Sequence, residues 1–148
     1  MSDNLAQPTF TIVTQLSDMD FDTIHAFVSQ TYWAKGIPAS TLRTALEHSV
    51  CVGILHGKEQ VAFARVITDK ATFGYLADVF VLPAYRGQGL SKHLIDTIVH
   101  LPELQGLRRF MLATKDAHSL YSQFGFKPVT DPTPLMQIHR PDIYLQGQ

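Results

Sequence analysis

The sequence predicts a mixed α/β domain: a largely antiparallel sheet with helices on both faces. Three observations predict it. Short β-branched runs separated by glycine-rich or polar reversals mark consecutive antiparallel strands. A long apolar strand then feeds through a glycine-rich turn into a helix and on to another strand, a connection that requires a parallel pair with a right-handed crossover. Finally, 148 residues, 45% hydrophobic and 17% charged, fit one ordinary core without a disulfide or metal staple. Residues 1–148 are therefore read as a single domain.

Residues 9–14 read as the first strand, with Phe10 and Ile12 on one face. Ser17-Asp18-Met19-Asp20 has the form of a capping box, a hydroxyl followed three residues later by a carboxylate. The helix it opens carries Phe21, Ile24, Val28 and Tyr32 along one stripe, ending near Trp33 before the turn Lys35-Gly36-Ile37-Pro38. A second short helix follows with Leu42, Ala45 and Leu46 inward. Strands are expected over 50–55 and 61–67, joined by the hairpin-like His56-Gly57-Lys58-Glu59-Gln60. A third runs over 73–82; it is apolar on both faces except at Asp78, which predicts a central place in the sheet. A helix is expected over 89–101 with Leu90, Leu94, Ile95, Ile98 and Leu101 facing the sheet. A strand over 110–114 precedes a helix over 117–124, capped by Asp116 and ended by Gly125. Short strands over 127–129 and 135–139 complete the expected order.

Composition excludes several classes. A net charge of −1 offers no basic footprint for nucleic acid. Arg108-Arg109 is read as a solvated strand entrance. No apolar run approaches a membrane span, and the opening MSDNLAQPTF lacks the positive and apolar regions of a secretory leader, so the expected setting is cytoplasmic. Seven histidines show no metal-ligand spacing, and no metal site is expected; His93 and His100 read as surface residues. The single cysteine, Cys51, lies between Val50 and Val52 and reads as a buried strand residue whose thiol is blunted by its neighbours.

The most informative stretch is Val81-Leu82-Pro83-Ala84-Tyr85-Arg86-Gly87-Gln88-Gly89-Leu90-Ser91. A strand stops, and a glycine-rich turn enters a helix, so that backbone N–H groups and the helix N-terminus converge on a site for anions. Several amides and Arg86 acting together would suit a pyrophosphate. Lys92 occupies the position where a dinucleotide fingerprint requires glycine, and no nucleotide-hydrolysing P-loop is present.

Residues 86–91 resemble motif A of the GNAT (Gcn5-related N-acetyltransferase) superfamily, [Q/R]-x-x-G-x-[G/A], with Ser91 in place of the usual small residue. Leu76-Ala77-Asp78-Val79-Phe80-Val81 is similar to that family's fourth strand. Leu120-Tyr121-Ser122-Gln123-Phe124-Gly125-Phe126 is similar to its motif B. The resemblance covers residues 76–126 and implies acetyl-CoA as cofactor. It also implies a sheet whose fourth and fifth strands splay to admit the pantetheine arm. Arg86, Gly87, Gln88, Gly89, Leu90 and Ser91 would then hold the coenzyme A pyrophosphate, and the backbone of Val79, Phe80 and Val81 would pair with pantetheine. Asp116 and Ser119 lie where the family often places a coenzyme-contacting asparagine. Many members dimerise, which leaves a homodimer open.

Transfer of acetyl from a thioester to an amine needs a neutral amine, a donor for the developing oxyanion, and a proton for the leaving thiolate. The resemblance implies Tyr121 as the acid; the alternative is that Tyr121 is core. The Phe80 N–H is the candidate oxyanion donor. Asp78 is open to two readings, as a base or substrate-orienting group, or as a structural carboxylate paired with Arg65 or a histidine. His118 and His25 are weaker candidates for the base. The family's Glu-Asp pair at this place is Ala77-Asp78 here. Tyr32, Trp33 and Lys35 with the following turn are the candidate acceptor site, with Phe63 and Tyr75 on the opposite wall. The leading expectation is an acetyl-CoA-dependent N-acetyltransferase acting on a small-molecule or protein amine. Its rivals are a non-catalytic acyl-CoA-binding domain that kept the fold, and a dinucleotide-binding module.

Overall fold

The computed structural model describes residues 9–145. Five strands, β1 (Phe10–Val13), β2 (Val50–His56), β3 (Glu59–Thr68), β4 (Phe73–Val81) and β5 (Arg109–Met111), form one sheet in sequence order. The first four pair antiparallel and β4–β5 is parallel. The intervening helices are α1 (Phe21–Val28), α2 (Ala39–Glu47), α3 (Leu90–Val99) and α4 (His118–Ser122).

Two apolar clusters cover the two faces. Leu90, Leu94, Ile95 and Ile98 of α3 pack against Val52, Ile54, Val66, Leu76 and Val81. Ile24 and Val28 of α1 and Leu42 and Leu46 of α2 pack against Cys51, Phe63 and Phe80. Both faces of β4 are thus covered, which explains its continuous apolar character. It is also an interior strand, as expected, between β3 and β5, although it meets β5 only through Phe73, Gly74 and Tyr75. Beyond Tyr75 the two parallel strands part.

The ladder between β3 and β4 carries the feature that positions the site. Phe63 faces Phe80 and Arg65 faces Ala77, so two steps along β3 match three along β4. This is a β-bulge, and Asp78 within it holds a left-handed φ of 55°.

Other boundaries differ from the sequence reading for local reasons. Helix α1 starts after Asp20, whose carboxylate accepts from the Thr23 N–H (3.2 Å) and hydroxyl (2.8 Å); residues Leu16–Asp18 form a separate 3-10 turn. It stops at Val28 because the Thr31 hydroxyl donates to the Val28 carbonyl (2.7 Å) and the Gly36 N–H to that of Ser29 (2.9 Å). Tyr32 therefore leaves the apolar stripe and is 62% exposed. Helix α4 is shorter than expected, and Asp116 does not cap it: the Thr114 hydroxyl accepts the Ala117 N–H at 3.0 Å. The strands expected over 127–129 and 135–139 do not form. Every residue over 127–143 is exposed, and none has a strand beside it to complete a ladder.

Candidate active site

Where β4 and β5 diverge, a cavity of about 560 Å³ opens. Val79, Phe80 and Val81 form one wall, Ala117, Leu120 and Tyr121 of the α4 region the other, and Arg86 and Ser91 one end. The end of α1 and the loop after it, from Ala26 to Trp33, close the remaining side. A strand edge freed by divergence presents backbone groups at extended spacing, which suits an elongated amide-bearing ligand.

The glycine-rich loop lies at the Arg86 end. Gly87 and Gly89 have φ of 82° and 80°, and a β-carbon added to either would meet nothing within 4 Å. Glycine here serves the left-handed backbone, with open space on the exposed side. Gly89 caps α3, whose first amides have no intrahelical acceptors. The Arg86 Nε–H donates to the Val81 carbonyl (3.0 Å), tethering its side chain to the end of β4; its Nη groups make no hydrogen bond among the described residues. The side chain of Leu90 is buried in the core, so only its backbone is available to the loop.

Tyr121 is 9% exposed. Burial, and secondarily the charge of Asp116, raise its phenol pKa above the ordinary value. The hydroxyl therefore stays protonated at neutral pH, the state an acid requires. Among the described residues nothing hydrogen-bonds it, which leaves it available to a ligand.

Asp78 is 7% exposed and fully engaged. The Arg65 Nε–H donates to Oδ2 at 2.6 Å, and the Trp33 indole N–H donates to Oδ1 at 2.7 Å. Arg65 in turn donates from Nη1 to the Ser49 hydroxyl at 3.1 Å. The bulge thus turns a carboxylate toward the α1–α2 loop, where it fixes an aromatic wall of the cavity. Trp33 meets Tyr32 edge-on at 5.1 Å, and the Lys115 ammonium sits 3.8 Å from the centre of the Tyr32 ring, joining the segment after β5 to the loop after α1.

The structure brings Tyr32, Trp33, Val79, Phe80, Val81, Arg86, Ser91 and Tyr121 around one cavity, with Asp78 behind Trp33. Tyr75 lies instead where β4 pairs with Met111 of β5, and Phe63 is buried in the core. Asp116 is exposed, and Ser119 and His118 border a different hollow behind α4. His25 contacts the Ile37 carbonyl through Nε2 at 2.8 Å and does not line the cavity. Sequence reasoning missed Phe27, which stacks on Phe80 with ring centres 4.2 Å apart, and Gln30, Thr31 and Lys115. Cys51 is buried away from the cavity, and burial pushes its thiol up to about 11. No cluster of three or more potential metal ligands occurs among the described residues, and no described helix is long and apolar enough to cross a membrane.

Comparison with known proteins adds to this geometry. The model of the acetyltransferase (GNAT) family matches residues 21–126. A crystal structure of a GNAT-family protein from Xanthomonas campestris pv. campestris superposes with a TM-score of 0.89 at 50% identity, covering 94% of this chain and 99% of that one. A proposed acetyltransferase of Gibberella zeae is 32% identical over 143 residues, spanning 81% of this chain and 80% of its own length. The histone acetyltransferase TAP1 of Glycine max is 30% identical over 123 residues, covering 74% of this chain but 53% of its own.

Proposed function

The chain belongs to the acetyltransferase (GNAT) family, and from that premise we propose that it moves acetyl from acetyl-CoA to an amine at the cavity beside β4. The observation that carries the proposal is the alignment of three parts. An open left-handed glycine loop, a strand edge freed by the β4–β5 divergence, and a protonated Tyr121 lie along one cavity.

The residues fit the coenzyme. The amides around Gly87 and Gly89, with the Arg86 guanidinium, suit the diphosphate, since charge-assisted hydrogen bonds to backbone N–H are among the stronger kinds. The main chain of Val79 and Val81 suits the two amides of the pantetheine arm. Bound there, the coenzyme supplies an acetyl group activated as a thioester. The Phe80 N–H, next to the bulge, supports the negative charge that develops on the carbonyl oxygen. Tyr121 gives its proton to the departing sulfur.

Asp78 is assigned to positioning. Both its oxygens already accept strong donors, and it stands behind Trp33 rather than on the cavity surface. The cavity lining contains no carboxylate and no histidine. The acceptor amine must then enter neutral or release its proton to water. The exposed Tyr32 and Trp33 form the acceptor wall, open enough for a small amine or the amine of a protein. A cytoplasmic setting, where thiols remain reduced, fits the unpaired Cys51.

Thiol release from acetyl-CoA over a panel of amines tests the reading. Turnover on at least one amine is expected, with kcat/KM rising with pH toward the acceptor's own pKa. Tight coenzyme binding with no turnover on any amine would favour the non-catalytic alternative instead.

A further inference from the structure

The glycine loop is entered from an anchored residue that the cavity does not explain. Beyond Val81 the Leu82 N–H donates to the Val61 carbonyl at 2.8 Å, and the 3-10 turn Pro83–Tyr85 then redirects the chain. That turn brings Tyr85 to the closed end of the β2–β3 hairpin, where His56 pairs with Glu59 and Phe10 of β1 pairs with His56. The Tyr85 hydroxyl donates to the Glu59 carboxylate at 2.6 Å. Its one proton is thereby engaged, so in the 3.3 Å contact with His56 the ring Nδ1–H is the donor. The Tyr85 ring stands edge-on to Phe10 at 6.2 Å and to His56 at 5.3 Å, while Phe10 and His56 stack at 4.8 Å.

The loop needs such a tie. Gly87, Gln88 and Gly89 are exposed, and among the described residues no side-chain hydrogen bond holds them. Buried Leu90 fixes the exit, which leaves the entry to Tyr85, two residues before Gly87. Glycines at φ of 82° and 80° are free to leave that region. Amides that must be ordered on binding lower affinity by the cost of ordering them. The bond to Glu59, with burial and the Glu59 charge adding to it, raises the Tyr85 phenol above its ordinary pKa. The hydroxyl therefore stays protonated at neutral pH and remains a donor. Tyr85 does not line the cavity, so its part is indirect.

We propose that Tyr85 is a positioning residue for the coenzyme: held by Glu59 and His56, it pins the entry of the glycine loop to the β2–β3 hairpin and so orders the loop amides for the diphosphate before the ligand arrives. The role rests on the coenzyme reading of that loop. It also gives Glu59 an effect whose sign plain electrostatics would reverse. A carboxylate near a diphosphate site repels the ligand, so removing its charge alone should tighten binding. As the acceptor that holds Tyr85, its removal should weaken binding instead.

Calorimetric titration of the full chain with CoA tests the role. Tyr85→Phe keeps the ring and loses only the hydroxyl, and CoA affinity should fall about 3–10-fold. Glu59→Ala, on an exposed stretch of the hairpin, should weaken CoA by a similar factor. The double variant should bind no worse than Tyr85→Phe alone, since both changes remove one interaction. Pantetheine, which lacks the diphosphate, should bind variants and wild type alike in an NMR titration. The role is overturned if Tyr85→Phe binds CoA within about twofold of wild type, or if Glu59→Ala binds it more tightly. Additive losses in the double variant, or pantetheine weakened as much as CoA, would overturn it too. If Tyr85→Phe fails to fold, the sign of the Glu59→Ala effect decides. A wild-type protein that binds no CoA removes the coenzyme reading and this role together; a wild type that binds CoA beside variants that bind it equally well removes this role alone.

Discussion

Replacing Asp78 separates an anchoring carboxylate from a catalytic base. In the native protein its side chain and that of Arg65 are 5% and 15% exposed, joined at 2.6 Å, with Trp33 donating to the second oxygen. Asp78→Ala leaves a largely buried guanidinium and an indole N–H unpaired. Breaking a buried pair from one side costs about 3–5 kcal/mol. For a domain of this size, each kcal/mol lowers Tm by ~2–4 °C, so the expected fall is roughly 6–20 °C. Asp78→Asn keeps one acceptor oxygen, for Trp33, and tolerates the φ of 55°, but its NH2 faces the Arg65 donor, so it loses the charged hydrogen bond to Arg65, about 1.5–3 kcal/mol. Thermal or urea unfolding should therefore rank wild type above Asn above Ala. In steady-state kinetics, loss of the anchor loosens the Trp33 wall, so KM for the acceptor rises more than kcat falls, and the acid limb of the pH profile survives. The reasoning is refuted if Asp78→Asn unfolds like wild type while kcat drops by ~10²–10⁴-fold at constant KM, the signature of a lost general base.

Four further outcomes follow from the geometry. Tyr121→Phe should cut kcat by about 10²–10⁴-fold with coenzyme affinity and Tm nearly unchanged, because no protein group loses a hydrogen bond; unchanged turnover would remove the tyrosine from the mechanism. Since its pKa is raised, the alkaline limb assigned to it should lie above the ordinary phenol value of ~10 in wild type, and an alkaline limb well below that would contradict the assignment. Gly89→Ala and Gly106→Ala place a β-carbon at nearly identical φ, 80° and 81°, in open space. Each should lose about 1–2 kcal/mol of stability, but calorimetry should show weaker CoA binding, ~10-fold or more, only for Gly89→Ala. Cys51, with its thiol near 11 and 4% exposed, should resist an aromatic disulfide reagent at pH 8 until the protein is unfolded; rapid labelling of native protein would show the strand more open than described.

The sequence carried its local signals well. Gly87 and Gly89 announced the turn because a left-handed backbone has few other solutions, and the stripe of Leu90, Leu94, Ile95 and Ile98 announced α3 through its period. What escaped was nonlocal. The extra residue in β4 exists only relative to the register of β3, which no single strand reveals, so the turn of Asp78 toward Trp33 was not readable. Phe27 sits one row beside the expected stripe of α1, and its use emerges only when Phe80 arrives from another strand. The cap of α4 was assigned to Asp116 by residue type, yet no side chain caps that helix, and Thr114 instead holds the Ala117 N–H just ahead of it. Strand-like composition over 127–139 was real, but pairing needs a neighbour, and within one described chain there is none.

On the proposed mechanism, little would separate a member of this fold that can hold a thioester from one that cannot. It is a matter of counting: one residue more on β4 than on the segment of β3 it faces. A chain shortened by one position between Ala77 and Phe80 could pair with β3 in step from end to end, retain nearly all of its interior, and displace the Phe80 amide from its proposed place beside the thioester. Loss of activity in such a lineage would need no damaged side chain, and a catalogue of intact motif residues would fail to reveal it.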